Sequence, residues 1–363
     1  MSQNTLYGGA ISLYAGKARA YMDWKQVPYT EVLANVDVYK GIILPRVGWP
    51  VIPVLVTDKD ETVQGTTEII DHFEALDPDP SVYPSGPAQK MAALLIEVFG
   101  DEWMKLPAMH YRWNYNEDWI LTQFGALSAP DASPEEQREI GEKRAGPFRG
   151  SLPILGVLPE TRSAIEESYE ALLADMSAHF ETHDYLFGSR PSIGDYGLIG
   201  PLYAHNYRDP KSGEMMKATA PRVARWVERM VKSPTPRGGE FLANDEVPDT
   251  IIPLLNRFAV EYLPVLEKTV AAFNAWAADN ASGTEVPRAL GMHEFTLGGV
   301  TAERAIFTFD LWMLQRPLDF YASLKGADKE AVDAMLEKAG LSGVTRMPAY
   351  PRIARPNFKT VLA

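Results

Sequence analysis

A serine at the mouth of a helix is where the chemistry of this chain first gathers. Thr5-Leu6-Tyr7 reads as a short strand, Gly8-Gly9-Ala10-Ile11-Ser12 as the loop after it, and residues 15–26 as a helix with Lys17 and Arg19 in its early turns. Ser12 then stands where free helix amides and the helix dipole favour a thiolate or a carboxylate. The plainer use of such a serine is as the N-cap of that helix. Tyr7 and Tyr14 bring two more hydroxyls close in sequence, and packing explains each equally well. Further on, Val51-Ile52-Pro53-Val54-Leu55-Val56 reads as a strand with proline near its start. A central strand has no use for a residue without an N–H, so Pro53 is expected at an edge or a turn, where cis bonds also occur. Thr66-Thr67 lead into a helix over residues 68–76, whose hydroxyls and first amides suit a carboxylate.

Cysteine is absent from all 363 residues. Disulfides, thiolate metal sites and cysteine nucleophiles are thereby excluded, and any sulfur chemistry must come from a bound thiol. The formal charge of −13 argues against nucleic acid and anionic lipid as general partners. No apolar run reaches the roughly 20 residues that span a bilayer, and Met1-Ser2-Gln3-Asn4 lacks the pattern of a signal peptide, so no membrane partner and a cytoplasmic location are expected. His179 and His183 share a helix face without the glutamate of a zinc-protease helix, and no metal is expected.

The segments Ser12-Leu13-Tyr14-Ala15-Gly16-Lys17-Ala18-Arg19, Val27-Pro28-Tyr29, Val51-Ile52-Pro53-Val54-Leu55 and Thr66-Thr67-Glu68-Ile69-Ile70 stand in an order and spacing that resembles the glutathione transferase superfamily. A later stretch, Tyr185 to Tyr196, resembles the second-domain signature of that family, with Ser192 as N-cap and Asp195 as its reciprocal partner. The resemblance implies an α/β thioredoxin-like N-terminal domain over residues 1–78 and an all-α domain over 84–235. Residues 240–363 are then an extra helical extension packed on it, and a homodimer is the expected assembly.

What the resemblance implies for the site is specific. Glutathione is the co-substrate, and Ser12 donates a hydrogen bond to its sulfur, with Tyr14 and then Tyr7 as the competing donors. Ile52, ahead of a cis Pro53, pairs its backbone with the cysteinyl unit like an added strand. Thr66 and Thr67 hold the γ-glutamyl carboxylate, and Lys40 and Arg46 are candidates for the glycyl carboxylate. Gly65 departs from the pattern, since the family places an acid there for the glutathione amine; an acid restored at 65 would then tighten binding. An apolar or aromatic electrophile would sit between the domains against Trp49, Trp103, Met109, His110 and Trp113. Beside this transferase stands a second function, a non-catalytic binding protein that kept the fold and uses the extension as its interaction surface.

Along the rest of the chain, helices are expected over 91–103, 165–179, 221–230, 302–314 and 329–339, the last capped by Asp328. Residues 146–159, rich in Gly and Pro, read as a loop; residues 233–239 read as a boundary; and residues 293–299 read as a short extended segment.

Overall fold

The computed structural model describes residues 3–233 and 236–363. Met1, Ser2, Pro234 and Thr235 lie outside the described residues, so the readings made of residues 1–4 and of the break at 233–239 fall partly outside them. In chain order the first elements are β1 (Asn4–Gly8), α1 (Leu13–Lys25), β2 (Tyr29–Leu33), α2 (Val36–Val38), α3 (Leu44–Val47), β3 (Val54–Val56), β4 (Thr62–Gln64) and α4 (Thr66–Leu76). Helices α5 (Pro87–Val98), α6 (Lys105–Tyr115), α7 (Glu117–Ala126), α8 (Pro134–Arg149), α9 (Leu152–Leu155), α10 (Arg162–His179), α11 (Ile193–Pro201), α12 (Pro210–Thr219) and α13 (Pro221–Met230) follow. The remainder holds α14 (Ile252–Arg257), α15 (Leu263–Ala278), β5 (Ala289–Leu297), β6 (Val300–Phe307), α16 (Phe309–Ser323), α17 (Gly326–Lys338), β7 (Ile353–Ala354) and β8 (Val361–Leu362).

These elements group into two compact units, each built from three separated stretches. The first takes Met1–Val82, Pro107–Ser151 and Ile199–Gly238; the second takes Tyr83–Leu106, Leu152–Leu198 and Gly239–Ala363.

In the first unit the sheet has the order β2-β1-β3-β4, with β1 parallel to β2 and the other pairs antiparallel. This is the thioredoxin-like arrangement. Val54 and Leu55 point to opposite faces of the central strand and both are fully buried, so the sheet is covered on both sides. Of the two places expected for Pro53, an edge or a turn, the turn is the one observed: Pro53 lies outside the ladder, which begins only at Val54 of a central strand. The Ile52–Pro53 bond is cis. Helix α1 is buried on nearly all sides, and its Lys25 ammonium pairs with Glu74 of α4 at 2.9 Å. Glu74 also accepts from the Tyr21 hydroxyl at 2.8 Å and the Ser81 hydroxyl at 2.7 Å, which satisfies a buried charge pair that would otherwise cost stability. Helices α7 and α8 make a hairpin in backbone contact: a Cβ on Gly125 would lie 1.7 Å from the Gln137 carbonyl oxygen. The expected loop at 146–159 is therefore partly wrong, because α8 continues to Arg149 with Pro147 inside it and α9 follows at once.

In the second unit, α11 opens with the expected box. Ser192 N–H donates to Asp195 at 2.8 Å and the Asp195 N–H reaches back to the Ser192 hydroxyl at 3.4 Å. Two π-helical turns, Phe99-Gly100-Asp101-Glu102-Trp103 and Phe258-Ala259-Val260-Glu261-Tyr262, share a spacing and meet. Phe99 lies against Phe258 at 6.1 Å, Trp103 stacks on Tyr262 at 5.3 Å, and the Trp103 indole donates to Glu261 at 2.9 Å. Asp245, from the last third of the chain, caps α5: its carboxylate accepts from the amides of Ala88 at 2.7 Å and Gln89 at 2.9 Å. Gly86 makes room, since a Cβ there would lie 2.1 Å from that carboxylate.

The last third is mainly helical, and the extended segment expected at 293–299 falls in β5 and its turn, but the helix expected over 302–314 starts late. Residues 302–307 belong to β6, hairpinned to β5 through Gly298 and Gly299 at positive φ, and the helix starts only at Phe309. Helix α17 begins at Gly326, so Asp328 sits in its first turn rather than at its cap. Val270, Phe273, Val286, Leu311, Ile353 and Leu362 form a core on which Trp276 and Trp312 pack.

Burial within this unit pushes the Glu102 carboxyl up to about 8, with Lys105 pulling it back and Asp310 and Asp101 adding to the rise. From the ordinary 4.5 to about 8, the folded chain therefore holds a proton that the unfolded chain has released, and stability falls as pH rises through that window. Glu102→Gln is expected to flatten this fall, which urea unfolding at about pH 5 and about pH 8 would show; an unchanged slope would assign the dependence elsewhere.

Candidate functional site

One row of the sheet brings the separated sequence segments together. Tyr7 pairs with Val54, and Val54 with Gln64. Beyond that row, β1 runs on toward Ser12, β3 is preceded by Ile52 and Pro53, and β4 is followed by Gly65 and Thr66. All three segments therefore lie at the same end of the sheet, in the first unit, and two of them open helices whose amides point outward.

Ser12 caps α1: its hydroxyl oxygen accepts from the Ala15 N–H at 3.3 Å, and its own N–H donates to Gly9 at 3.0 Å. The cap uses a lone pair and leaves the hydroxyl proton for another acceptor, so the structural and chemical uses of Ser12 are compatible. Tyr14 lies in the first turn of α1 and Tyr7 in β1, both half-buried. The two cations near Ser12 in sequence are committed elsewhere. Arg19 grips Glu31 through two bonds, one of 2.6 Å. Lys17 is fully buried and donates to the Thr67 hydroxyl at 3.2 Å. That places an ammonium group at the opening of α4 and strengthens the anion preference of that helix N-terminus.

Gly65 precedes α4 at φ 108° and ψ 135°. Few residues other than glycine adopt this backbone. An acid at 65 therefore meets a conformational cost that the sequence alone did not show. Gly65→Asp is expected to lower stability by about 1–3 kcal/mol, measured by chemical denaturation, and to disturb the α4 opening rather than tighten a ligand. A variant as stable as the parent would show that the turn relaxes freely.

The remaining candidates divide. Lys40 is exposed in the helical run after β2. Arg46 clasps the β3–β4 turn, pairing with Asp60 and donating to the Thr62 hydroxyl at 3.1 Å, at the far end of that hairpin from Gln64. Trp49 is half-buried. Met109, His110 and Trp113 are buried in α6; His110 bonds Asn114 at 2.9 Å, and Trp113 stacks on Phe124 at 6.2 Å. Trp103 belongs to the core of the second unit, covered by Tyr262 and by the Arg304 guanidinium 5.0 Å from its ring. It is core rather than an exposed wall, because its indole N–H is spent on Glu261.

Sequence reasoning missed a buried arginine that holds the Ser12 loop. Arg112 donates to the Ile11 carbonyl at 2.8 Å and to the Ala204 carbonyl, and its fork meets both Asp209 oxygens at 2.8 Å. Arg208 donates to the Ala10 carbonyl. Both arginines are ordinary polar residues in sequence, and only the fold brings them to one loop.

Residues 6–81 match the family described as glutathione S-transferase, N-terminal domain, and residues 159–229 match glutathione S-transferase, C-terminal domain. The chain therefore carries the two domains of the glutathione S-transferase superfamily. Both domains occur in family order, and residues 230–363 follow the second match. Solved structures resemble it distantly. A β-etherase, LigF, from Sphingobium sp. strain SYK-6 is 15% identical with a TM-score of 0.47, the alignment covering 64% of this chain and 96% of that one. A glutathione S-transferase from Rhodospirillum rubrum F11 is 17% identical with a TM-score of 0.43, covering 68% and 96%. The Tau class transferase of mango, Mangifera indica, is 18% identical with a TM-score of 0.38, covering 69% and 94%. No curated protein matches the sequence. Among the described residues, no three His, Asp or Glu side chains are grouped to hold a metal, and no helix is long and apolar enough to cross a membrane.

Proposed function

We propose that this transferase-family chain binds glutathione at the sheet end marked by Ser12, Pro53 and Thr66 and activates its thiol for attack on an apolar or aromatic electrophile. The observation that carries this reading is the pairing of Tyr7 with Val54 and of Val54 with Gln64, which sets the three segments at one edge of the first unit. In this mechanism the Ser12 hydroxyl donates to the sulfur, stabilising the thiolate with help from the α1 dipole. The Ile52 backbone pairs with the cysteinyl unit. Thr66, Thr67 and the first amides of α4 receive the γ-glutamyl carboxylate. The sulfur attacks the electrophile and the leaving group departs, so the protein lowers the thiol pKa and orients the pair without forming a covalent bond itself.

Ser12→Ala is expected to reduce turnover of a generic aromatic electrophile at least tenfold while costing about 1 kcal/mol of stability, the scale of one lost cap. Unchanged turnover would remove Ser12 from the chemistry, and loss of activity in Tyr14→Phe would then transfer the role. Two observations favour the second reading, a non-catalytic binding protein: Gly65 offers no carboxylate to the glutathione amine, and Arg46 is engaged at the β3–β4 turn. Retention on glutathione resin with no turnover of any electrophile would decide for it.

A further inference from the structure

The two carbonyls that lead into Ser12 are each taken by an arginine, and the two arginines differ in one respect that matters chemically. Arg112, on Ile11, is neutralised in place by Asp209. Arg208, on Ala10, makes no ion pair among the described residues; the hydrogen bond it makes is to a neutral carbonyl. Burial lowers its basicity somewhat, with Tyr203 and Asp209 opposing the effect, but an arginine remains charged at neutral pH. Lys17 and Arg19, nearer in sequence, are spent on Thr67 and Glu31. Among the described residues, the half-buried cation at the Ser12 loop without an ion pair is Arg208, which reaches it from the segment between the π-helical turn 202–207 and α12.

We propose that Arg208 supplies the positive potential that keeps a thiol bound at Ser12 ionised, while Arg112 only fixes the loop. This rests on the glutathione reading above. Its physical basis is that an uncompensated charge near a half-buried site favours the anionic form, whereas a charge already paired with a carboxylate has little field left to offer. The role is electrostatic and positional; Arg208 itself makes no bond to the reacting atoms.

Arg208→Gln takes the charge away, and Arg208→Lys returns a charge at the same position without the guanidinium. The ultraviolet absorbance of the thiolate, titrated with glutathione bound, is expected to show the thiol pKa raised by about 0.5 to 1 in Arg208→Gln and restored by at least half of that in Arg208→Lys. Calorimetric affinity for glutathione should stay within about twofold in both, and Arg225→Met, which removes an exposed charge of the same unit, should leave the pKa where it was. An unshifted pKa in Arg208→Gln with glutathione still bound overturns the proposal, as does an equal shift in Arg225→Met. Absence of glutathione binding by the unaltered protein would overturn the binding reading and this inference together, and it is told apart from the other outcomes by calorimetry on the unaltered protein alone.

Discussion

Removal of residues 240–363 is expected to leave the second unit unfolded, with the truncated protein aggregating or changing its oligomeric state. Those residues supply Glu261 and Tyr262 to Trp103, and Asp245 to the start of α5. They also supply the carbonyls of Leu242 and Glu246, which hold the Gln89 side chain at 2.9 and 2.8 Å. Without them Phe99, Trp103 and the inner face of α10 are exposed, a patch of the kind that drives association. Circular dichroism and light scattering on the truncated chain would test this. A soluble protein of unchanged size and ligand affinity would mean that residues 240–363 are an independent tail.

Arg112→Met is expected to destabilise the first unit by about 3–5 kcal/mol, because it leaves the fully buried Asp209 without its partner. Arg112 also holds the Ile11 and Ala204 carbonyls, so the loss reaches both the Ser12 loop and the π-helical turn 202–207. The double variant Arg112→Met with Asp209→Leu should recover much of the loss, since removing both charges abolishes the uncompensated one. Denaturant unfolding of the single and double variants measures this directly. Equal stability of the single variant and the parent would mean that Asp209 escapes to solvent or takes up a proton at little cost.

Which parts of the fold sequence reasoning reaches depends on how local the deciding physics is. The thioredoxin-like start was legible because alternating apolar runs, a proline before a strand and hydroxyls before helices all act within a few residues. The Ser192–Asp195 box is equally local. Residues 302–307 misled because they are good helix formers and because β6 buries Arg304, Ala305 and Ile306 in succession, so no alternation marks the strand. The α7–α8 hairpin had an available signal in Ser133-Pro134-Glu135-Glu136, which forms a full capping box, and Pro147 obscured where α8 ends. At the site, Ser12, Pro53 and Thr66 were legible by position. The commitment of Lys17 to Thr67, of Arg46 to Asp60 and of Arg112 to Asp209 was not, because each partner lies on another element and nothing near it in sequence announces the pairing.

The cap that Asp245 places on α5 sets a timetable for the ribosome. Helix α5 leaves the exit tunnel with its first amides unsatisfied, and the carboxylate that completes it is made 157 residues later. At about 5–20 residues per second that interval is roughly 8–30 seconds, during which the second unit lacks its third stretch. The first unit has all of its stretches by Gly238 and can mature while the second still waits. The second unit must shelter a half-built core until the last third of the chain has been translated, and a pause or premature stop anywhere in that third would strand the core in the open.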